Sequence, residues 1–340
     1  MRMKKLLPFL LLFFLLIAGA CNQQTSGGTK DSAQAASSDI HEFKLSTIVQ
    51  TSHTWVAAAE KFKEELETRT NGRMQVEIYP ASQLGPEADV IQLMSVGAVD
   101  FGFITNAYLA SRVDSLNAWF MPFLFDGIED AARMRDSEIS RKLLDTLEEQ
   151  QITGLDWLFT GSHSILMKQG VMDSPEAFVG KQIRAPGSVV INDFYQQLGA
   201  SPLPMPVSEV YTSLQTGVID GINASVDSIF TEKFHEVADD FTLLNQFAFN
   251  AAVVMSTATL EKLSEEDKEI VLEAMRVAID YGNEVAIKKD YEGLEELRQQ
   301  IKVHELDDFE AFSDVRDSIY NKYSEKDPLI KELIEEAQKQ

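Results

Sequence analysis

The chain has 340 residues, 54 of them Asp or Glu and 30 Lys or Arg, for a formal net charge of −24. That balance excludes nucleic acid as a partner, because phosphate contacts supply most of such affinity; it does not exclude a small anion, since exposed charges are screened within about 8 Å and a local cation still dominates a cleft. The single cysteine rules out an internal disulfide, a thiolate metal cage and dithiol redox chemistry.

Three cations, Arg2, Lys4 and Lys5, precede an apolar run over 6–17 and the small residues Ala18, Gly19 and Ala20. This is the pattern of a signal peptide, residues 1–20: the run is shorter than the roughly 20 residues a spanning helix needs, and a small-residue processing site follows it. Cys21 comes next, and Ala18-Gly19-Ala20-Cys21 resembles a bacterial lipobox, with Ala18 where Leu, Val or Ile is usual. The expectation is a lipidated Cys21 that holds the protein extracytoplasmically on the cell membrane, on the periplasmic side in a Gram-negative organism. The segment 21–40 then reads as a flexible tether, being built of Gln, Ser, Gly, Thr and Ala with almost nothing large and apolar to bury.

From Phe43 onward, short apolar runs alternate with amphipathic ones, the signature of an α/β protein. The pattern predicts strands at 43–49, 75–79 and 101–105, helices at 55–69 and 87–96, and one long helix at 128–150. Asn71-Gly72 and Gly97 stand where helix C-terminal caps belong. Further strands are predicted at 155–159, 165–168, 181–185 and 203–206, with a helix at 189–198. Another helix, N-capped by Ser208, runs through Thr216 to Gly217. An extended apolar stretch covers 241–257. Ser264, followed by three acids, opens a helix of about 35 residues that contains Gly282 and Gly293 and has the reach to cross between domains. A late strand at 301–306 and peripheral, charged helices over 309–340 complete the reading.

Hydrolytic, nucleotide and dinucleotide signatures are absent, and no cofactor is implied. Ser162 and His163 are too close in sequence to face each other as a catalytic pair. His41, His53, His235 and His304 lack metal-ligand spacing, and surface or capping roles suit them.

The informative stretch begins Gly180-Lys181-Gln182-Ile183-Arg184-Ala185-Pro186 and continues Leu198-Gly199-Ala200-Ser201-Pro202-Leu203-Pro204-Met205-Pro206, then Leu214-Gln215-Thr216-Gly217-Val218-Ile219-Asp220-Gly221. Earlier come Asn71-Gly72-Arg73, Tyr79-Pro80-Ala81-Ser82-Gln83-Leu84-Gly85 and Gly97-Ala98-Val99-Asp100; later, Lys233-Phe234-His235-Glu236-Val237. In this order, over about residues 43 to 330, the set resembles the substrate-binding subunit of TRAP (tripartite ATP-independent periplasmic) transporters, the DctP-like family.

The resemblance implies a two-domain, periplasmic-binding-protein-like α/β fold with crossing strands and a long inter-domain helix. Domain I would comprise 41–160 plus 250–290, and domain II 161–249 plus 291–340. It also implies a small organic acid, monocarboxylate or dicarboxylate, bound between the domains, with the permease membrane subunits of a TRAP transporter as partner. Arg184 would pair with the ligand carboxylate, and a guanidinium fork suits that task; the lesser alternative is a surface arginine in an edge strand. His163 stands about where many relatives carry a second arginine, and Asn223-Ala224 where the family has Glu-Asn. Gln50, Thr105, Asn106 and Asn223 fall where cleft contacts are expected, outside the carboxyl ends of strands, and each also suits a turn. Two further functions fit the scaffold: a ligand sensor for a signalling receptor, and an extracytoplasmic enzyme of organic acids, for which no nucleophile, metal cluster or cofactor loop is visible.

Overall fold

The computed structural model describes residues 40–306 and 309–339; the signal segment, Cys21 and the tether up to Asp39 lie outside them. Among the described residues nine strands form one sheet: β1 (His41–Thr47), β2 (Met74–Tyr79), β3 (Phe101–Thr105), β4 (Ile152–Met167), β5 (Gln182–Arg184), β6 (Ser201–Pro202), β7 (Gly221–Ala224), β8 (Asp240–Ser256) and β9 (Lys302–Glu305). Their order is β2-β1-β3-β8-β4-β7-β5-β6, with β9 joining β8. β1 is parallel to β2 and β3, and β5 is parallel to β6 and β7, so each end of the sheet is a small parallel half-sheet. The antiparallel ribbon of β4 and β8, 16 and 17 residues long, runs from one half to the other.

The ribbon explains why β4 does not read as one strand in the sequence. Its ladder with β8 slips between Gly154 and Asp156, between Phe159 and Gly161, and between His163 and Ile165. Bulges of this kind bend a ribbon and re-aim side chains. The polar run Thr160-Gly161-Ser162-His163-Ser164, which reads in sequence as a gap between two strands at 155–159 and 165–168, is the bend itself. Phe101–Thr105 pairs with the last part of β8, and β7 pairs with the last part of β4, so each half-sheet holds one end of the ribbon.

The first helix, Thr54–Arg69, buries Trp55, Ala58, Ala59, Phe62 and Leu66, the i, i+3, i+4 stripe its sequence predicts. The long helix Glu265–Leu297 has 33 residues, with Ser264 accepting a hydrogen bond from the Asp267 N–H at its start. It packs on the first helix, on β4 and on the helix Val226–Thr231 of the second half. Its two internal glycines sit at those contacts. A Cβ on Gly282 would lie 2.6 Å from Ala58 Cβ and 2.8 Å from Leu158 Cδ1, and one on Gly293 would lie 2.8 Å from Val226 Cγ1.

Four expectations need correction. The predicted helix at 128–150 is three pieces: α-helices Ile128–Met134 and Glu138–Asp145 and the 3-10 turn Thr146–Gln150. Ser137 caps a new start by accepting the Ser140 N–H, while Arg135 just before it is held by Asp156 and Asp280. Residues 203–206 are not a strand, because Pro204 and Pro206 lack ladder donors. The following helix, Val207–Thr216, starts two residues earlier than expected, with Pro206 rather than Ser208 at its cap; its end at Gly217, φ 76°, agrees. The C-terminal helices are not merely peripheral. Ser313–Lys326 packs on the helix Val189–Gln197, and Pro328–Ala337 packs on the segments Asp114–Phe120 and Glu138–Asp145, burying Ile319, Tyr323, Ile330, Leu333 and Ile334.

Candidate functional site

Between the two half-sheets lies a cavity of about 530 Å³ of unfilled space. Its walls come from the loop after β1 (Ile48), the first helix (Trp55), the end of β3 (Thr105), the bend of β4 (Thr160, His163), the end of β5 (Arg184), β7 (Asn223) and β8 (Phe249). A more open space of about 1030 Å³ adjoins it, sharing Ile48, Thr105, Arg184, Val207 and Phe249 and extending to Glu87, Tyr108 and Met205. Parallel strands thus deliver their carboxyl ends to the cavity from both sides, the arrangement in which open α/β sheets hold ligands.

Arg184 is the last residue of β5, and Pro186 prevents the strand from continuing. Its Nε and Nη2 both donate to the Met205 carbonyl, at 3.3 and 3.1 Å. The prolines on either side of Met205 hold that carbonyl in an extended segment with no N–H of their own to offer. The Met205 carbonyl is the only acceptor that this five-donor guanidinium shows among the described residues, which leaves Nη1 without a protein partner on a residue that lines the cavity. Burial pulls the group down to about 10, with Glu87 and Glu232 opposing through space; it remains a cation at neutral pH.

His163 is pinned from two sides. Its Nδ1 lies 2.7 Å from Asn223 Oδ1, and its ring stacks on Phe249 with centroids 4.0 Å apart and planes within 10°. With Oδ1 the acceptor, Nδ1 carries the proton and Nε2 is left as a lone-pair acceptor. Burial lowers the imidazole to about 3, so it is uncharged at physiological pH. The Trp55 Nε1 and Thr160 Oγ1 atoms, both buried on the cavity wall, have no hydrogen-bond partner among the described residues.

Two carboxyls complete the site, and nothing in the sequence signals either. Glu87 opens the helix Glu87–Ser95 and accepts from the Thr105 N–H at 2.6 Å and the Thr105 hydroxyl at 2.9 Å. Burial pushes it up to about 7. An acid in the first turn of a helix reads as complementing the macrodipole, which hides its position in the fold. Glu232 follows the helix Val226–Thr231 and also lines the cavity; burial raises it, against a hydrogen bond from Gln50 and the charge of Arg184.

The structure therefore brings Arg184, His163, Asn223 and Thr105 together on one cavity. Gln50 is not on its wall and reaches it only through a hydrogen bond to Glu232. Asn106 does not line it: the side chain turns inward and donates to the Leu116 carbonyl at 3.1 Å, fixing the segment Asp114–Phe120.

Two half-sheets joined by a bent ribbon and a through-running helix, closing on an arginine, define a two-domain α/β solute-binding protein. Its wider kinship is equally clear. The chain belongs to bacterial extracellular solute-binding protein family 7, the DctP family, whose model matches residues 45–327. A solute-binding protein of Chromohalobacter salexigens is 30% identical over 290 residues, 83% of this chain and 84% of the relative. Among solved structures, a TRAP periplasmic solute-binding protein of the same organism with bound D-glucuronate has a TM-score of 0.82 at 26% identity, covering 87% of this chain and 99% of its own. One from Shewanella oneidensis with bound succinate has a TM-score of 0.82 at 27% identity, covering 88% and 98%. Among the described residues no helix is long and apolar enough to cross a membrane.

Proposed function

We propose that this protein is the extracytoplasmic receptor of a TRAP-type transporter, binding a small organic acid in the cavity and delivering it to membrane permease subunits. The observation that carries the reading is Arg184, a cation on the cavity wall with one edge of its guanidinium unspent. A planar fork in a partly desolvated site recognises a carboxylate bidentately. His163, Asn223 and Thr105 are the polar contacts beside it, and Gln50 acts through Glu232. The receptor reading accounts for the site without any chemical step, so no enzyme role is assigned. The boundaries 41–160 plus 250–290 and 161–249 plus 291–340 serve as the two domains, with the bend of β4 at one crossing and the last helix, Pro328–Ala337, reaching back onto the first domain.

The anchor belongs to the same reading. Removal of residues 1–20 and lipidation of Cys21 would hold the receptor at the membrane, supported by the residue pattern 18–21 and the polar composition of 22–39. A tether of that kind keeps its effective concentration at the permease high. Labelled fatty acid incorporated into the parent and not into Cys21→Ser tests the anchor.

For the ligand, a thermal-shift panel of organic acids at neutral pH should give binders, and Arg184→Ala should abolish their shifts. A panel without binders, or one indifferent to Arg184, would remove the proposal.

A further inference from the structure

Resting on the reading that Arg184 takes a ligand carboxylate, we infer that the cavity selects a monocarboxylate bearing several hydroxyl groups, disfavours dicarboxylates, and owes this choice chiefly to Glu87.

The first argument is charge. Arg184 is the only lysine or arginine on the wall of either space, and Glu87 and Glu232 both stand on those walls. A second ligand carboxylate would need a second cation. His163, the side chain placed to meet it, is uncharged: its Nδ1 is committed to Asn223 and its ring lies flat on Phe249. The second carboxylate would face acids instead, in a partly desolvated space where like charges repel more strongly than in water.

The second argument is hydrogen-bonding capacity. An ionised carboxylate accepts about four hydrogen bonds, and Thr105 supplies only two to Glu87. The remainder suits a hydroxyl donor and repels an anion. Trp55 Nε1 is a donor, Thr160 Oγ1 a donor and acceptor, and both are unpartnered on residues 1% and 2% exposed. His163 Nε2 is an acceptor. Hydroxyls both give and take, so a polyhydroxylated chain can satisfy these groups together. A methylene chain leaves them unpaired, and a site built for hydroxyls rejects analogues that lack them.

The test is isothermal titration at pH 8 of the soluble receptor, residues 22–340, with D-glucuronate, D-erythronate and succinate, alongside mass spectrometry of any acid carried through purification. We expect at least one hydroxy acid to bind tenfold or more tighter than succinate. Glu87→Gln should narrow that ratio at least threefold by weakening the hydroxy acid and strengthening succinate. Succinate binding as tightly as both hydroxy acids, with Arg184→Ala abolishing all binding, overturns the inference and leaves the carboxylate-receptor reading standing. A preference unchanged in folded Glu87→Gln overturns the role of Glu87. Binding unaffected by Arg184→Ala removes the underlying reading as well. If none of the three binds, the carried-through acid decides: a hydroxylated monocarboxylate supports the inference and a dicarboxylate overturns it.

Discussion

Asp227, in the second half of the molecule, caps the first helix of the other half: its Oδ2 accepts the Thr54 backbone N–H at 3.1 Å and the Thr54 hydroxyl at 3.0 Å. His53 Nε2 lies 3.5 Å from the same oxygen, and Lys289 Nζ, 3.7 Å from Oδ1, also donates to the Ser52 carbonyl at 3.1 Å. The contact is buried, and it joins the first helix, the long helix and the helix Val226–Thr231 beside the cavity.

Asp227→Ala should therefore loosen the contact between the two halves. Hydrogen bonds to a buried charged group contribute about 1.5–3 kcal/mol each, and an orphaned helix N–H adds to the loss. We expect a lower melting temperature, a larger radius of gyration by small-angle scattering without ligand, and ligand affinity reduced on the order of tenfold. An unchanged radius with a lowered melting temperature would make the contact a fold stabiliser only.

Glu87 gives a stability prediction with a definite sign. Its carboxyl rises from an ordinary value of 4.5 to about 7 on folding, mainly through burial. Such a group weakens the folded state where it must be ionised there: fully above about pH 7, and not at all below about pH 4.5. Glu87→Gln should thus be more stable than the parent at pH 8, by something on the order of 2 kcal/mol, with the gap closing as pH falls to 4.5. Urea midpoints at pH 4.5, 6 and 8 check this, and a gap that widens toward acid contradicts it.

The same titration bears on binding. Facing Glu87 are Arg184, which stays charged through this range, Tyr108 and the Thr105 donors. Lowering the pH from 8 to 6 protonates Glu87 and removes the repulsion of a second carboxylate. Succinate binding should tighten severalfold over that interval in the parent and stay nearly flat in Glu87→Gln, as read by titration calorimetry.

Arg184→Lys keeps the charge and loses the fork. An ammonium is a point charge and cannot hold the Met205 carbonyl and meet a carboxylate bidentately in the same geometry. We expect affinity to fall about a hundredfold, close to 3 kcal/mol. A variant within threefold of the parent would show that charge alone is recognised.

At Gly282 two effects oppose each other. Alanine is favoured over glycine in a helix by about 1 kcal/mol, but the added Cβ would meet Ala58 at 2.6 Å and Leu158 at 2.8 Å. Overpacking a close contact costs about 1–3 kcal/mol, so Gly282→Ala should lower the urea midpoint. A raised midpoint would mean that the helix shifts at little cost.

Much of this was legible in the sequence, for identifiable reasons. β1 and β2 tend to alternate, β3 is a short apolar run buried throughout, the first helix follows a period of 3.6, and Ser264 marks the start of the long helix as its three following acids suggest. Arg184 and Thr105 stand out because strand ends announce themselves. What stays hidden are groups defined only by the closing of the two halves. Glu87 and Asp227 look like ordinary first-turn acids, and their partners Thr105 and Thr54 are 18 and 173 residues away. Asn106 shows the converse error: next to Thr105 in sequence, it points the other way because the chain turns into the helix Asn106–Leu109 there. β4 reads as two strands in the sequence because a bend rich in polar residues and glycine has the composition of a loop.

The long helix touches one half at Gly282 and the other at Gly293, about 16 Å apart along an axis that scarcely stretches. It is a strut of fixed length. Loading and unloading are therefore expected to proceed as rotation of the halves about these two contacts, with their spacing conserved. Spin labels across the mouth, at Gln50 and Glu232, should report a large excursion; labels beside the pivots, at Glu60 and Ser228, should report almost none.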